Sequence, residues 1–181
     1  MEITRLEENI IEVLKEQQLK LGYRSEVIRL YYPLASLNSF LLQTDTVEEM
    51  KRDLQEFCEG VKEKLGEVEI SNQGERFCIK IPEQGVNYVH EHMSDTEFIS
   101  DFIRTIEKHS CTIEDLMEQF QKHSDHVHME KVDHGEFDYL VYFEDGVPDN
   151  FRYCITDEGR HMMYHRFTEA DYKDFQFERP L

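Results

Sequence analysis

Positive charge is what this 181-residue sequence has least of. Lysine and arginine total 20 against 39 aspartates and glutamates, for a formal net charge of −19. Nucleic-acid binders and proteins that sit on anionic membranes need a basic footprint, so the charge excludes both as general roles. Long apolar runs are also missing. The longest is Tyr139-Leu140-Val141-Tyr142-Phe143, far below the ~20 residues that cross a bilayer as a helix. Glycine is scarce, with eight in the chain, and no GxGxxG, GxxxxGK[ST] or GxSxG occurs. Dinucleotide, P-loop and α/β-hydrolase chemistry therefore lack their signatures. The cysteines number four, Cys58, Cys78, Cys111 and Cys154, with no CxxC among them. That spacing excludes the common zinc and thiol-redox motifs. Glu2, Glu7 and Glu8 stand where a secretory signal would carry positive charge. With isolated thiols expected to be reduced and packed as small hydrophobes, the sequence points to the cytoplasm.

What is present is a globular pattern. Phenylalanine and tyrosine total 21 and are spread along the chain, and a chain of this length buries roughly 70 % of its unfolded surface. Ile3, Leu6, Ile10, Val13 and Leu14 fall at helical spacing, and Gly22 ends that stripe. Glu26 to Tyr32 reads as a strand closed by Pro33, and Leu34 to Leu42 as a short helix, with Ser36 as its candidate cap. Thr46-Val47-Glu48-Glu49 is a capping box, and the stripe behind it is Val47, Met50, Leu54, Phe57, Val61 and Leu65, closed by Gly66. A hairpin is expected next, Glu67–Ser71 and Glu75–Ile81, with Phe77, Ile79 and Ile81 inward. Pro82 and Gly85 read as interruptions, and Val86–His90 as a further strand.

Ser94-Asp95-Thr96-Glu97 has the form of a second capping box, ahead of Phe98, Ile99, Phe102, Ile103 and Ile106. Thr112 to Asp115 starts another helix with Ile113, Leu116, Met117 and Phe120 on its apolar side. The period then changes to two, in segments around Val127, Phe137–Phe143, Phe151–Ile155 and His161–Phe167. Short polar connections between them predict a four-stranded antiparallel meander, followed by a helical turn from Thr168. The fold class is α+β: N-terminal helices and a hairpin, then two helices and the C-terminal meander. The sequence reads as one domain over 1–181, with 1–92 and 93–181 as the alternative subdivision.

The acidity is local. Residues 91–150 hold 16 acidic and 4 basic side chains, a net of −12, and six of the nine histidines. Such a stretch is either a solvated surface or a face for a basic partner, such as a cationic protein, a polyamine or a metal ion. The helix–helix–strand outline of Asp95 to Phe143 resembles a winged helix. Glu114, Asp115 and Glu118 stand where DNA reading would need cations, so protein contact is the expected use.

Two His-x-His pairs occur, His90/His92 and His126/His128. On a strand each pair would aim two imidazoles to one side. His123 precedes the second pair, and Asp125, Glu130, Asp133 and His134 surround it. Imidazole with carboxylate suits a divalent transition metal. His123, His126 and His128 are therefore the candidate metal ligands, against the alternatives of exposed strand residues or a pH-responsive cluster. His161 and His165 form a further same-face pair if their segment is a strand. A third use of the C-terminal aromatics is a small-molecule pocket lined by Tyr139, Tyr153 and Tyr164.

The leading functional expectation is a non-enzymatic acidic protein that binds a basic macromolecular partner through 91–150, without a cofactor. The alternative is a metal-binding protein or metal-dependent enzyme built on a His-x-His pair. No residue is assigned a catalytic role. Leu21-Gly22-Tyr23-Arg24 and Ile28-Arg29-Leu30-Tyr31-Tyr32-Pro33-Leu34-Ala35-Ser36-Leu37-Asn38 resemble an uncharacterised bacterial family of unknown function, mainly over residues 1–40. The resemblance implies a bacterial cytoplasmic protein and brings no activity or site residue with it.

Overall fold

The computed structural model describes residues 3–132 and 135–177. They fall into two compact units that divide between Met93 and Ser94. Among the described residues there are seven helices and two antiparallel sheets, an α+β fold ending in a four-stranded meander. No helix of these residues is long and apolar enough to cross a membrane.

The first unit holds α1 (Ile3–Leu21), β1 (Ile28–Pro33), α2 (Leu34–Leu41), α3 (Val47–Leu65), β2 (Glu69–Gln73), β3 (Arg76–Ile81) and α4 (Glu83–His92). The Thr46 box forms as expected: the Thr46 hydroxyl accepts from the Glu49 amide, and Glu49 takes the Thr46 amide. Met50, Leu54, Phe57, Val61 and Leu65 of the α3 stripe are buried and Val47 is partly so, with Leu6, Ile10 and Leu14 of α1 and Phe77, Ile79 and Ile81 of β3 in the same core. The hairpin gains a third strand, because β1 pairs along the other side of β3 in register from Ile28 opposite Ile81 to Pro33 opposite Arg76. The helix α2 starts from Pro33 with no side-chain cap, so Ser36 does not serve as one.

The expected strand at Val86–His90 is instead part of α4. Pro82 stands at its N-terminal boundary, Glu83 in its first turn, and Val86 and Val89 share its buried side at a spacing of three. Gly85, read as an interruption, is a packing position. A Cβ there would lie 2.7 Å from the Leu65 carbonyl oxygen and 2.7 Å from a methyl of Ile81. Only a hydrogen lets α4 lie that close to the end of α3.

The second unit holds α5 (Phe98–Ile106), α6 (Ile113–His123), β4 (Val127–Lys131), β5 (Tyr139–Phe143), β6 (Arg152–Asp157), β7 (Met162–Phe167) and α7 (Glu169–Phe177). The box at Thr112 and Asp115 forms in full. At Ser94 only half of it does: the Ser94 amide donates to Glu97 Oε1 at 2.9 Å, and the helix begins later, at Phe98. α5 is buried on almost every side, and Arg104 is its one exposed residue. The sheet runs β4-β5-β6-β7, with Tyr139 opposite Ile155 and Cys154 opposite His165. One face packs on α5 and α6 through Phe98, Phe102, Phe120, Phe143 and Tyr153. On the other, Leu140 and Cys154 meet Tyr172 of α7.

Candidate functional site

Beyond residues 91–93, which belong to the first unit, the described part of the acidic stretch and the three candidate histidines lie on α5, α6, the first strands and the adjoining loops of the second unit. Its organising residue is one the sequence reading did not single out. Asp101 lies on α5 three residues after Phe98 and is buried, its side chain 8 % exposed. Lys122 Nζ donates to its Oδ2 at 2.6 Å, Arg104 to its Oδ1 at 3.3 Å, and the His123 Nε2 lies 2.8 Å from Oδ2. The Lys122 hydrogen bond, then that of His123, holds the Asp101 carboxyl below its ordinary value against the opposing effect of burial. The sequence signal was weak because one acid in an apolar helix reads as an exposed position.

A carboxyl whose folded pKa is lowered contributes stability above its unfolded value, ~3.9, and loses it as pH falls through the folded value. Replacement by asparagine is therefore expected to cost about 1–3 kcal/mol at pH 7. The gap to the parent should close as pH drops below about 4. Urea unfolding at pH 7, 5 and 3 measures it, and a gap that stays constant would contradict this role.

The three candidate metal ligands occupy different surroundings. His123 closes α6 on Asp101, with its ring edge-on to Phe98. His126 precedes β4 and is exposed, its backbone amide donating to the Ser124 hydroxyl. His128, on β4, places Nε2 3.1 Å from Glu130 and Nδ1 3.9 Å from Glu144, and its ring lies tilted at 4.8 Å from that of Tyr142, its register partner on β5. Arg152 lies over the same tyrosine at 3.9 Å and reaches Glu169 at 3.7 Å. The row from His128 through Tyr142 to Arg152 emerges only once the strands are in register. Among the described residues no group of three or more His, Cys, Asp or Glu is placed to hold a metal ion. Asp133 and His134 lie outside the described residues.

The other pairs also separate. His90 and His92 are two apart on a helix rather than a strand, so they diverge. His90 stacks on Tyr23 at 3.7 Å and His92 on Tyr88 at 4.1 Å. His161 falls just before β7 and meets His109 at 5.5 Å, while His165 lies within β7. Tyr153 is fully buried, and its hydroxyl donates to Asp149 at 2.7 Å. Its ring touches Phe98, Phe102 and Phe120 at centroid distances of 5.7, 4.9 and 5.2 Å, the packing of a core. Burial pushes the Tyr153 hydroxyl well above its ordinary value and the Cys154 thiol up to about 12, so neither is an ionised nucleophile near neutral pH.

The acids themselves are left open. Asp95, Glu107, Glu114, Glu118 and Asp125 are exposed and have no lysine or arginine within ion-pair distance among the described residues. Two of the four cations in 91–150, Arg104 and Lys122, are directed at Asp101 instead. Glu114 and Glu118 are four apart on α6 and share a face, where like charges oppose helix stability by a few tenths of a kcal/mol, ~0.2–0.5.

Fold and site together define an α+β protein of two antiparallel sheets, with exposed acids on α6. The chain belongs to the family described as "Domain of unknown function, E. rectale Gene description (DUF3877)", which it matches over residues 3–176. The match extends the bacterial resemblance of residues 1–40 to almost the whole chain. No curated protein and no solved structure matches it.

Proposed function

We propose that the protein is a non-enzymatic cytoplasmic docking protein whose acidic 91–150 region binds a basic macromolecular partner. The observation that carries this reading is the use of Arg104 and Lys122 on buried Asp101, which leaves the exposed acids of α6, Glu114 and Glu118, and those flanking the two helices, Asp95, Glu107 and Asp125, uncompensated. Without a partner such charge serves solubility, which does not benefit from its position at Glu114 and Glu118. A surface that meets cations does, because complementary potential speeds encounter and fixes orientation. The metal alternative rests on the sequence pairs alone.

The test uses lysozyme as a folded cationic probe, titrated against the full chain at low and physiological salt. The double variant Glu114→Lys/Glu118→Lys should weaken binding by at least about tenfold, and added salt should weaken the parent similarly. Reversing the same number of charges at Glu8 and Glu63, exposed in the other unit, should do far less. Equal losses from both pairs would reduce the effect to net charge and defeat the proposal.

A further inference from the structure

The three-stranded sheet ends on β2, which pairs with β3 alone. The two strands join through the two-residue turn Gly74-Glu75, with Gln73 opposite Arg76. In such a hairpin the residues flanking the turn exchange both hydrogen bonds, and the pattern alternates outward from there. Gln73, Ser71 and Glu69 thus face β3 with their backbone groups, and Asn72 and Ile70 turn theirs to the open side. Among the described residues no backbone group outside the ladder bonds to that side. Edge strands are usually blunted by proline, lysine or a bulge. β2, Glu-Ile-Ser-Asn-Gln, carries none of the three, and its one charge, Glu69, is paired with Lys80 of β3.

Beside this open edge runs α3, and between the two lies a groove of about 900 Å³. Its apolar part comes from Val68, Ile70 and Cys58. Burial, with Glu59 adding to it, pushes the Cys58 thiol up to about 11, so it is an uncharged surface at neutral pH. The rim is acidic. Glu56, Glu59 and Glu69 line it against Lys51. Lys51 is paired with Glu48 and Glu69 with Lys80, while Glu56 and Glu59 are exposed with no ion pair among the described residues.

A helix wall, an open strand edge and an apolar floor are the parts used when an extended peptide joins a sheet. Main-chain hydrogen bonds supply affinity there, and alternate side chains supply specificity. We infer that the groove between α3 and β2 binds an extended basic segment of a partner protein, which adds to β2 as a fourth strand. The acidic rim selects lysine or arginine at positions facing Glu56 and Glu59, and the floor accepts small apolar side chains between them. This inference concerns the first unit and stands apart from the acidic surface of α6.

The test titrates the full chain with the blocked peptide Lys-Val-Lys-Val-Lys-Val-Lys. Controls are its fully N-methylated counterpart and the Glu-Val analogue. Two readouts report the groove: hydrogen exchange at the Ile70 and Asn72 amides, and alkylation of Cys58 by a maleimide, followed by mass spectrometry. The basic peptide should slow both by at least about tenfold at saturation. The N-methylated peptide, with the same charge but no backbone donors, should bind at least about tenfold more weakly, and the acidic one should not bind. Glu56→Lys/Glu59→Lys should abolish the protection, and Glu114→Lys/Glu118→Lys should leave it intact. Equal binding of the N-methylated peptide, no change at Ile70 and Asn72, or no binding at millimolar peptide would each overturn the inference. Loss of protection only in the Glu114/Glu118 variant would overturn it as well, and would leave the acidic surface of α6 as the binding site.

Discussion

Replacing Phe102 by alanine is expected to remove about 3–5 kcal/mol of stability. The ring is fully buried and sits 4.9 Å from both Tyr153 and Tyr164 and 5.7 Å from Phe120. It joins α5 to α6 and to two strands of the sheet at once. Alanine would remove the transfer contribution of a whole aromatic ring and leave a cavity that these three rigid rings cannot collapse to fill. Against a total stability that for a domain is typically about 5–15 kcal/mol, this is a large share. Urea unfolding followed by circular dichroism and tyrosine fluorescence would read it, since the chain has no tryptophan. A loss under about 1 kcal/mol would mean that Phe102 does not hold α5 to α6 and the sheet.

The second large effect is a matter of sign. In an exposed helix, glycine to alanine is worth about 1 kcal/mol in favour of alanine. At Gly85 the same change is expected to destabilise by about 1–3 kcal/mol. The new methyl would stand 2.7 Å from the Leu65 carbonyl oxygen, a backbone atom that cannot rotate away. α4 would have to move off the end of α3, loosening Val86 and Val89 from the core they share with Leu65 and Ile81. A stabilised Gly85→Ala variant would show that α4 does not pack where the structure places it.

These two residues also mark where the sequence was readable. Phe102 follows from spacing: Phe98, Phe102 and Ile106 recur at intervals of four, and any helix over them must bury that stripe. Gly85 does not, because glycine in isolation signals a break, and its role depends on Leu65, twenty positions earlier. Without that contact, Val86 to His90 looks like a strand. The pairing of β1 with β3 was hidden for the same reason, since nothing near Ile28 names Ile81 as its partner. The half-formed box at Ser94 is the reverse case, a correct local motif that closes a turn before the helix rather than its first residues.

The candidate site was legible in part. Its charge was, because counting acids needs no coordinates. Asp101 was not, since the value of a buried carboxylate depends on Lys122 and His123, more than twenty residues on. Nor was the fate of the histidines. Spacing within His126-Val127-His128 promised a shared face, but the strand begins at Val127, and His128 is drawn to Glu130 and Glu144.

The sequence by itself determined what depends on neighbours within about four positions: the capping boxes at Thr46 and Thr112, the stripes of α3, α5 and α6, the period-two meander, and the acidity of 91–150. Hydrogen bonds of a helix turn and alternation along a strand act over that range. Only the tertiary structure decided the path of α4, the partner of β1, the open edge of β2 beside α3, and the burial of Asp101. Each is fixed by contact between residues far apart in the chain, where close packing and the desolvation of charge outweigh local preference.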